Sequence, residues 1–177
     1  VRNYGILDGI PECKRLFAEL LDVSADNLIV FGASSLNIMY DYIAQCMIYG
    51  AGGKPWAAQE GIKFLCPAPG YDRHFGILES MGIKMINIPM LKDGPDMDKI
   101  DELIKDEKVK GIFCVPKYSN PEGKTFSDET VRRFAAMKPA AKDFRVIWDN
   151  AYIVHDFNDT PDSILNIFDA AKEYGSE

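Results

Sequence analysis

Gly111-Ile112-Phe113-Cys114-Val115 leads straight into Pro116-Lys117-Tyr118-Ser119-Asn120-Pro121-Glu122-Gly123. An unbroken apolar run ends in a stretch rich in turn formers, and a helical pattern over 128–137 follows. Apolar residues at successive positions, instead of alternate ones, mark a strand covered on both faces. Such strands belong to parallel sheets whose crossovers are helices. The same unit recurs on either side of this stretch. Strands are predicted near 28–32, 62–66, 84–88, 111–115 and 145–149, and helices over 10–21, 35–49, 73–81, 97–105 and 128–137. Pro11 opens the first of these helices, where its missing N–H costs nothing. Residues 50–53 and 92–96 read as loops. The expectation is an α/β domain with a mostly parallel sheet and helices on both faces.

The 177 residues, 47% of them hydrophobic, suffice for one domain with a sizeable core. Lys and Arg number 20 against 27 Asp and Glu, a net charge of −7. That balance argues against a nucleic-acid groove or an anionic membrane surface as partner. No apolar run has the length of a transmembrane span, and the start at Val1-Arg2-Asn3-Tyr4 has neither an initiator Met nor a signal-peptide pattern. The chain reads as an excised segment whose last residues, Lys172 to Glu177, resemble the close of a helix. Cys13, Cys46, Cys66 and Cys114 lie 33, 20 and 48 residues apart with no C-x-x-C pair, so neither a disulfide framework nor a zinc site is expected. Cys66 and Cys114 sit in apolar runs, in keeping with a reducing cytoplasm. The sequon Asn158-Asp159-Thr160 is taken as chance.

In open parallel sheets ligands bind beyond the carboxyl ends of the strands. After the first run come Gly32-Ala33-Ser34-Ser35, a small-residue turn entering a helix, which suits a phosphate and equally suits an ordinary Ser N-cap. After the second come Pro67-Ala68-Pro69-Gly70-Tyr71, which place an aromatic at the sheet edge, for stacking on a flat ligand or for plain packing. After the fourth, Asn120 precedes Pro121 and is pushed towards an extended backbone. Gly123-Lys124-Thr125 is no phosphate-binding P-loop, because Tyr118 stands where that motif needs its first Gly. After the fifth come Asp149-Asn150-Ala151-Tyr152. A carboxylate there is costly to bury without a cation or strong donor, so it is either a structural pair or a ligand group. His74 and His155 show no nucleophile or metal spacing and read as scaffold, with His74 near enough to Tyr71 to line a pocket. The acidic stretch 156–162 reads as solvated loop.

Taken in order, Gly9-Ile10-Pro11-Glu12, Gly32-Ala33-Ser34-Ser35-Leu36, Pro69-Gly70-Tyr71, Ser119-Asn120-Pro121-Glu122-Gly123 and Trp148-Asp149-Asn150-Ala151-Tyr152 span almost the whole chain. The sequence resembles the fold-type I aminotransferases that use pyridoxal 5'-phosphate (PLP), the aspartate aminotransferase superfamily. The most specific part is Asn-Pro-x-Gly followed, 29 residues after its Asn, by Asp-x-x-Tyr. The stretch from Ser34 to Asp41 is similar to a bacterial aspartate aminotransferase-like subgroup. The resemblance implies that residues 1–177 form part of the PLP-binding large domain. It implies that Asp149 pairs with the pyridine nitrogen, that Asn120 and Tyr152 donate to the phenolic oxygen, and that Tyr71 stacks on the ring. Ala33, Ser34 and Ser35 would hold the phosphate, and Gly9 with Asn120 would lie near the substrate.

The resemblance further implies transamination between an amino acid and a 2-oxo acid, aspartate and 2-oxoglutarate by subgroup, in a cytoplasmic homodimer. Its Schiff-base Lys should follow a further strand. The only Lys after Tyr152 is Lys172, 23 residues past Asp149 with no strand before it, and it is not assigned that role. No catalytic residue is therefore assigned, and the chain alone is expected to be inactive. The family's sheet also separates its first strand from the rest by two strands that come after that Lys, so the run near 28–32 would lack neighbours here. Two other readings stay open: a PLP-binding regulatory module of a transcription factor, and another PLP reaction such as β-elimination. A doubly wound domain with a different ligand is the third.

Overall fold

The computed structural model describes residues 5–176. Its sheet has five strands, β1 (Lys63–Ala68), β2 (Lys84–Leu91), β3 (Gly94–Pro95), β4 (Val109–Cys114) and β5 (Arg145–Trp148), in the order β3-β2-β1-β4-β5. All pairings are parallel except the short β2–β3 hairpin. The helices are α1 (Pro11–Leu21), α2 (Ser35–Tyr49), α3 (Asp72–Ser80), α4 (Met97–Leu103), α5 (Asp128–Ala136) and α6 (Ile167–Tyr174).

Each begins where local chemistry allows. Pro11 opens α1, the Asp96 carboxylate accepts the Lys99 N–H at α4, and the Ser127 hydroxyl accepts the Thr130 N–H at α5. Parallel strands need cover on both faces, and two apolar clusters provide it. On one face Leu65, Ile88, Ile112 and Cys114 meet Met97 and Ile100 of α4, Val131 and Phe134 of α5 and Ala170 of α6. On the other, Phe64, Cys66 and Phe113 meet Met39, Ile43 and Cys46 of α2 and Ile77 and Leu78 of α3. Phe113 therefore points opposite to its neighbours Ile112 and Cys114, as strand geometry requires. Burial pushes the Cys66 thiol up to about 12 and the Cys114 thiol well above its ordinary value, so both act as small core residues.

Gly111 is fixed by this packing. A Cβ there would stand 2.5 Å from both the Arg145 carbonyl oxygen and the Phe64 ring. At the same end of β4, buried Lys110 donates to Asp143 at 2.8 Å, while the Trp56 indole N–H donates to it at 3.0 Å and the Gln59 amide at 3.3 Å. Burial works against ionisation of Asp143. The hydrogen bonds from Lys110 and Gln59 outweigh it and hold the carboxyl below its ordinary value.

The run near 28–32 departs from expectation and forms no strand. It has no ladder partner, its Val30 N–H is taken by the Asp8 carbonyl at 2.9 Å, and Ile29 and Phe31 are exposed. The fifth strand is instead β3, inside the stretch read as a loop over 92–96. Gly94 makes the hairpin possible, with φ +136° and no room for a Cβ beside Thr130.

Two stability effects follow for the full-length protein. Gly111→Ala should cost roughly 3 kcal/mol, because one colliding atom is backbone and cannot yield; chemical denaturation measures it. Lys110→Met should cost on the order of 3 kcal/mol at neutral pH by leaving a buried carboxylate without its cation. Asp143 is depressed in the folded state, so its contribution is complete above the ordinary value of 3.8 and fades as pH falls through the folded value. The gap between wild type and Lys110→Met should therefore close in acid, as read from unfolding curves at a series of pH values.

Candidate functional site

The strand-end loops of β1, β4 and β5, three adjacent strands, carry four of the eight candidate residues, Tyr71, Asn120, Asp149 and Tyr152. After β1 the chain turns so tightly at Gly70 that a Cβ would lie 2.3 Å from the Pro67 carbonyl oxygen. The turn delivers Tyr71 to the N-cap of α3 and His74 to its first turn, where the His74 N–H donates to the Tyr71 carbonyl. The His74 ring stacks on Phe113 of β4, centroids 4.8 Å apart, and meets Tyr71 edge-on at 5.2 Å.

Asp149 stands one residue past β5, its N–H still donating to the Cys114 carbonyl at 2.7 Å. Its Oδ2 lies 3.0 Å from Nε2 of His74, and the two residues are only 8% and 2% exposed. A carboxylate can only accept, so Nε2 carries the proton in this contact. Among the described residues this is the one hydrogen bond to the Asp149 carboxylate, which leaves Oδ1 for another donor. His74, read from sequence as scaffold near a pocket, is thus the group that orients Asp149. Its spacing of three residues from Tyr71 on one helix was the available signal, but its partner is 75 positions away.

After β4, a turn closed by the Ser119 N–H to the Lys124 carbonyl carries Asn120, whose Nδ2 lies 3.5 Å from the Tyr152 hydroxyl. Tyr152 comes from the turn after β5, where the Ile153 N–H returns to the Asn150 carbonyl. A small cavity between the loops after β1 and β4 is lined by Pro67, Gly70, Tyr71, His74, Ser119 and Asn120, while Asp149 and Tyr152 are not part of its lining. Nearby in the chain, Oδ1 of Asn150 is buried without a partner among the described residues, an unusual state for a polar atom.

Ala33, Ser34 and Ser35 form the N-terminus of α2, which packs on the same face of the sheet as α3. Ser34 is its N-cap yet its hydroxyl caps nothing, and Ala33 and Ser35 are exposed, so the N–H groups of the first turn are open to an anion. Gly9 has φ +106°, and every close neighbour its Cβ would meet belongs to Val30. Lys172 lies on α6, 77% exposed and paired with Asp169 at 2.7 Å. His155 meets the Tyr152 ring edge-on at 5.4 Å. The described residues hold no cluster of three or more His, Cys, Asp or Glu able to bind a metal, and no helix long and apolar enough to cross a membrane.

A buried carboxylate, a Tyr–Asn pair and a helix N-terminus stand at the positions the sequence resemblance singles out, and comparison with known proteins addresses the family itself. The family model described as aspartate amino-transferase matches residues 1–177. An aspartate aminotransferase of Corynebacterium glutamicum is 46% identical over 178 residues, covering 99% of this chain, and a relative from Mycolicibacterium smegmatis is 48% identical over 176 residues, covering 96%. The chain spans 41% of the length of each. A crystal structure from Corynebacterium diphtheriae superposes with a TM-score of 0.94 at 47% identity, over 98% of this chain and 43% of that one. With the motifs, the sheet and these relatives in agreement, the chain belongs to the aspartate aminotransferase family.

Proposed function

We propose that the protein of which this chain forms part is a PLP-dependent aminotransferase, exchanging an amino group between an amino acid and a 2-oxo acid. Aspartate and 2-oxoglutarate are the proposed pair, supported by the name of the C. glutamicum relative. A homodimer is the proposed assembly. The observation that carries the reading is the buried Asp149–His74 pair at the end of β5, with Oδ1 of the carboxylate unengaged.

The residues present suit PLP. When bound, PLP supplies an electron sink for the pair released at the substrate's α-carbon. Asp149 would hold a proton on the pyridine nitrogen, and that cation would in turn satisfy the buried carboxylate. His74 would keep the carboxylate oriented, its ring being held between Phe113 and Tyr71. Asn120 and Tyr152 would donate to the phenolic oxygen, favouring its anionic form. Tyr71 would cover the ring, while Ala33, Ser34 and Ser35 would present N–H and hydroxyl donors to the phosphate. Gly9 and Asn120 would border the substrate. No lysine after Tyr152 in this chain is assigned a covalent role, because Lys172 is a surface residue paired with Asp169.

In the full-length protein, Asp149→Ala should weaken PLP binding by about 10- to 100-fold, the worth of a charge-assisted hydrogen bond. Titration with PLP followed by visible absorbance measures this, and an unchanged Kd would count against the reading. His74→Phe, which keeps the ring stack but removes the donor, should weaken PLP by a smaller factor, about 3- to 10-fold.

A further inference from the structure

Lys117 is 6% exposed although it follows β4 by only three residues. A buried ammonium needs acceptors, and this one has two, Oδ1 of Asp156 at 2.8 Å and the carbonyl of Ile153 at 3.0 Å. Both belong to the loop after β5. Tyr118, next in the chain, adds a third tie. Its hydroxyl donates to the same Asp156 oxygen at 2.9 Å and accepts the Asp162 N–H at 3.0 Å. Tyr118 holds φ +49°, an unfavourable conformation for a side-chain-bearing residue. It is kept there by these bonds, by its own N–H to the Thr125 hydroxyl at 3.3 Å, and by the Lys117 ammonium 4.9 Å from its ring centroid.

Besides these ties, the loop's Phe157 meets the Tyr118 ring edge-on at 5.8 Å. Val154 is 57% exposed and Phe157 80%, so apolar burial contributes weakly there. The ties also sit at particular places. Lys117 and Tyr118 immediately precede Ser119-Asn120, and Ile153, whose carbonyl Lys117 grips, immediately follows Tyr152. The Asn120–Tyr152 contact is therefore bracketed on both loops by the same cluster.

We propose that Lys117, Tyr118 and Asp156 form a latch between the β4 and β5 loops that positions Asn120 and Tyr152 as paired donors to the cofactor's phenolic oxygen. The latch rests on the PLP reading above. Its members are positioning residues and touch neither cofactor nor substrate. Two donors on separate loops can both reach one oxygen only if the loops keep their spacing, and the latch is what sets it. Donors to a phenolate weaken its hold on the proton it shares. Loosening the latch should therefore raise the pH midpoint at which the bound cofactor's visible absorbance changes.

The test uses full-length holoenzyme carrying Lys117→Met, Tyr118→Phe or Asp156→Asn, each alone and combined with Tyr152→Phe. Readouts are the absorbance midpoint, PLP affinity by titration, and melting temperature. Lys117→Met should raise the midpoint by about 0.5 pH unit or more, in the direction of Tyr152→Phe. It should add less in the Tyr152→Phe background than it does alone, because only Asn120 is then left for the latch to position. PLP affinity should change less than about threefold, since Asp149 is untouched. Should Lys117→Met not fold, Tyr118→Phe removes a single hydroxyl and must move the midpoint the same way. A lowered melting temperature with an unmoved midpoint, or a shift fully additive with Tyr152→Phe, overturns the latch and leaves the cofactor reading standing. A wild type that takes up no PLP overturns both.

Discussion

The carboxylate of Asp149 sets the terms for the surrounding structure. It stands at the end of an apolar strand, out of water, where an unpartnered charge is costly. Its relief comes from His74, on a helix two strands away in the sheet, so three adjacent strands must hold register for one hydrogen bond to form. The ring of His74 is in turn aimed by Phe113 and Tyr71. Phe113 can serve because its neighbours in β4 face the other way into a separate apolar cluster. The packing of the sheet and the aim of the carboxylate are thus one problem.

Of the predicted strands, those near 62–66 and 111–115 were legible because the apolar run is buried on both faces. Those near 84–88 and 145–149 are only partly covered and were legible from their apolar composition between helical stretches. The run near 28–32 has the same composition and no strand, because a strand is defined by its partners and hydropathy does not report them. Its Ile29 and Phe31 stand exposed for want of neighbours. The hairpin at Gly94–Pro95 was hidden for the converse reason. Two residues carry no periodicity, and their pairing depends on a glycine fitting against Thr130 on a distant helix.

At the site, residues belonging to a local motif could be read ahead of the structure. Tyr71, Asn120, Asp149 and Tyr152 were found by their order and by their places after strands, and the strand-end loops bring them together. His74 and Lys117 could not be found that way. Each is a single residue whose role is decided by a contact across the sheet, 75 and 39 positions distant in the chain. Local sequence identifies groups that belong to a contiguous motif more readily than the distant groups that contact them.

Two buried aspartates in this sheet show how function can be separated from structure by counting donors. Asp143, beside the start of β4, accepts from Lys110, Trp56 and Gln59, so both of its oxygens are occupied. All three donors are the protein's own side chains, and the cluster is a brace. Among the described residues Asp149, beyond the other end of β4, accepts from His74 alone, and Oδ1 of its neighbour Asn150 finds no partner. A fold under selection for stability alone would gain by satisfying or removing these groups. Their shortage of donors lies at the carboxyl ends of parallel strands, where such sheets bind their ligands. The same carboxylate chemistry meets three protein donors at one end of the sheet and one at the other, and that asymmetry is what sets the two ends apart.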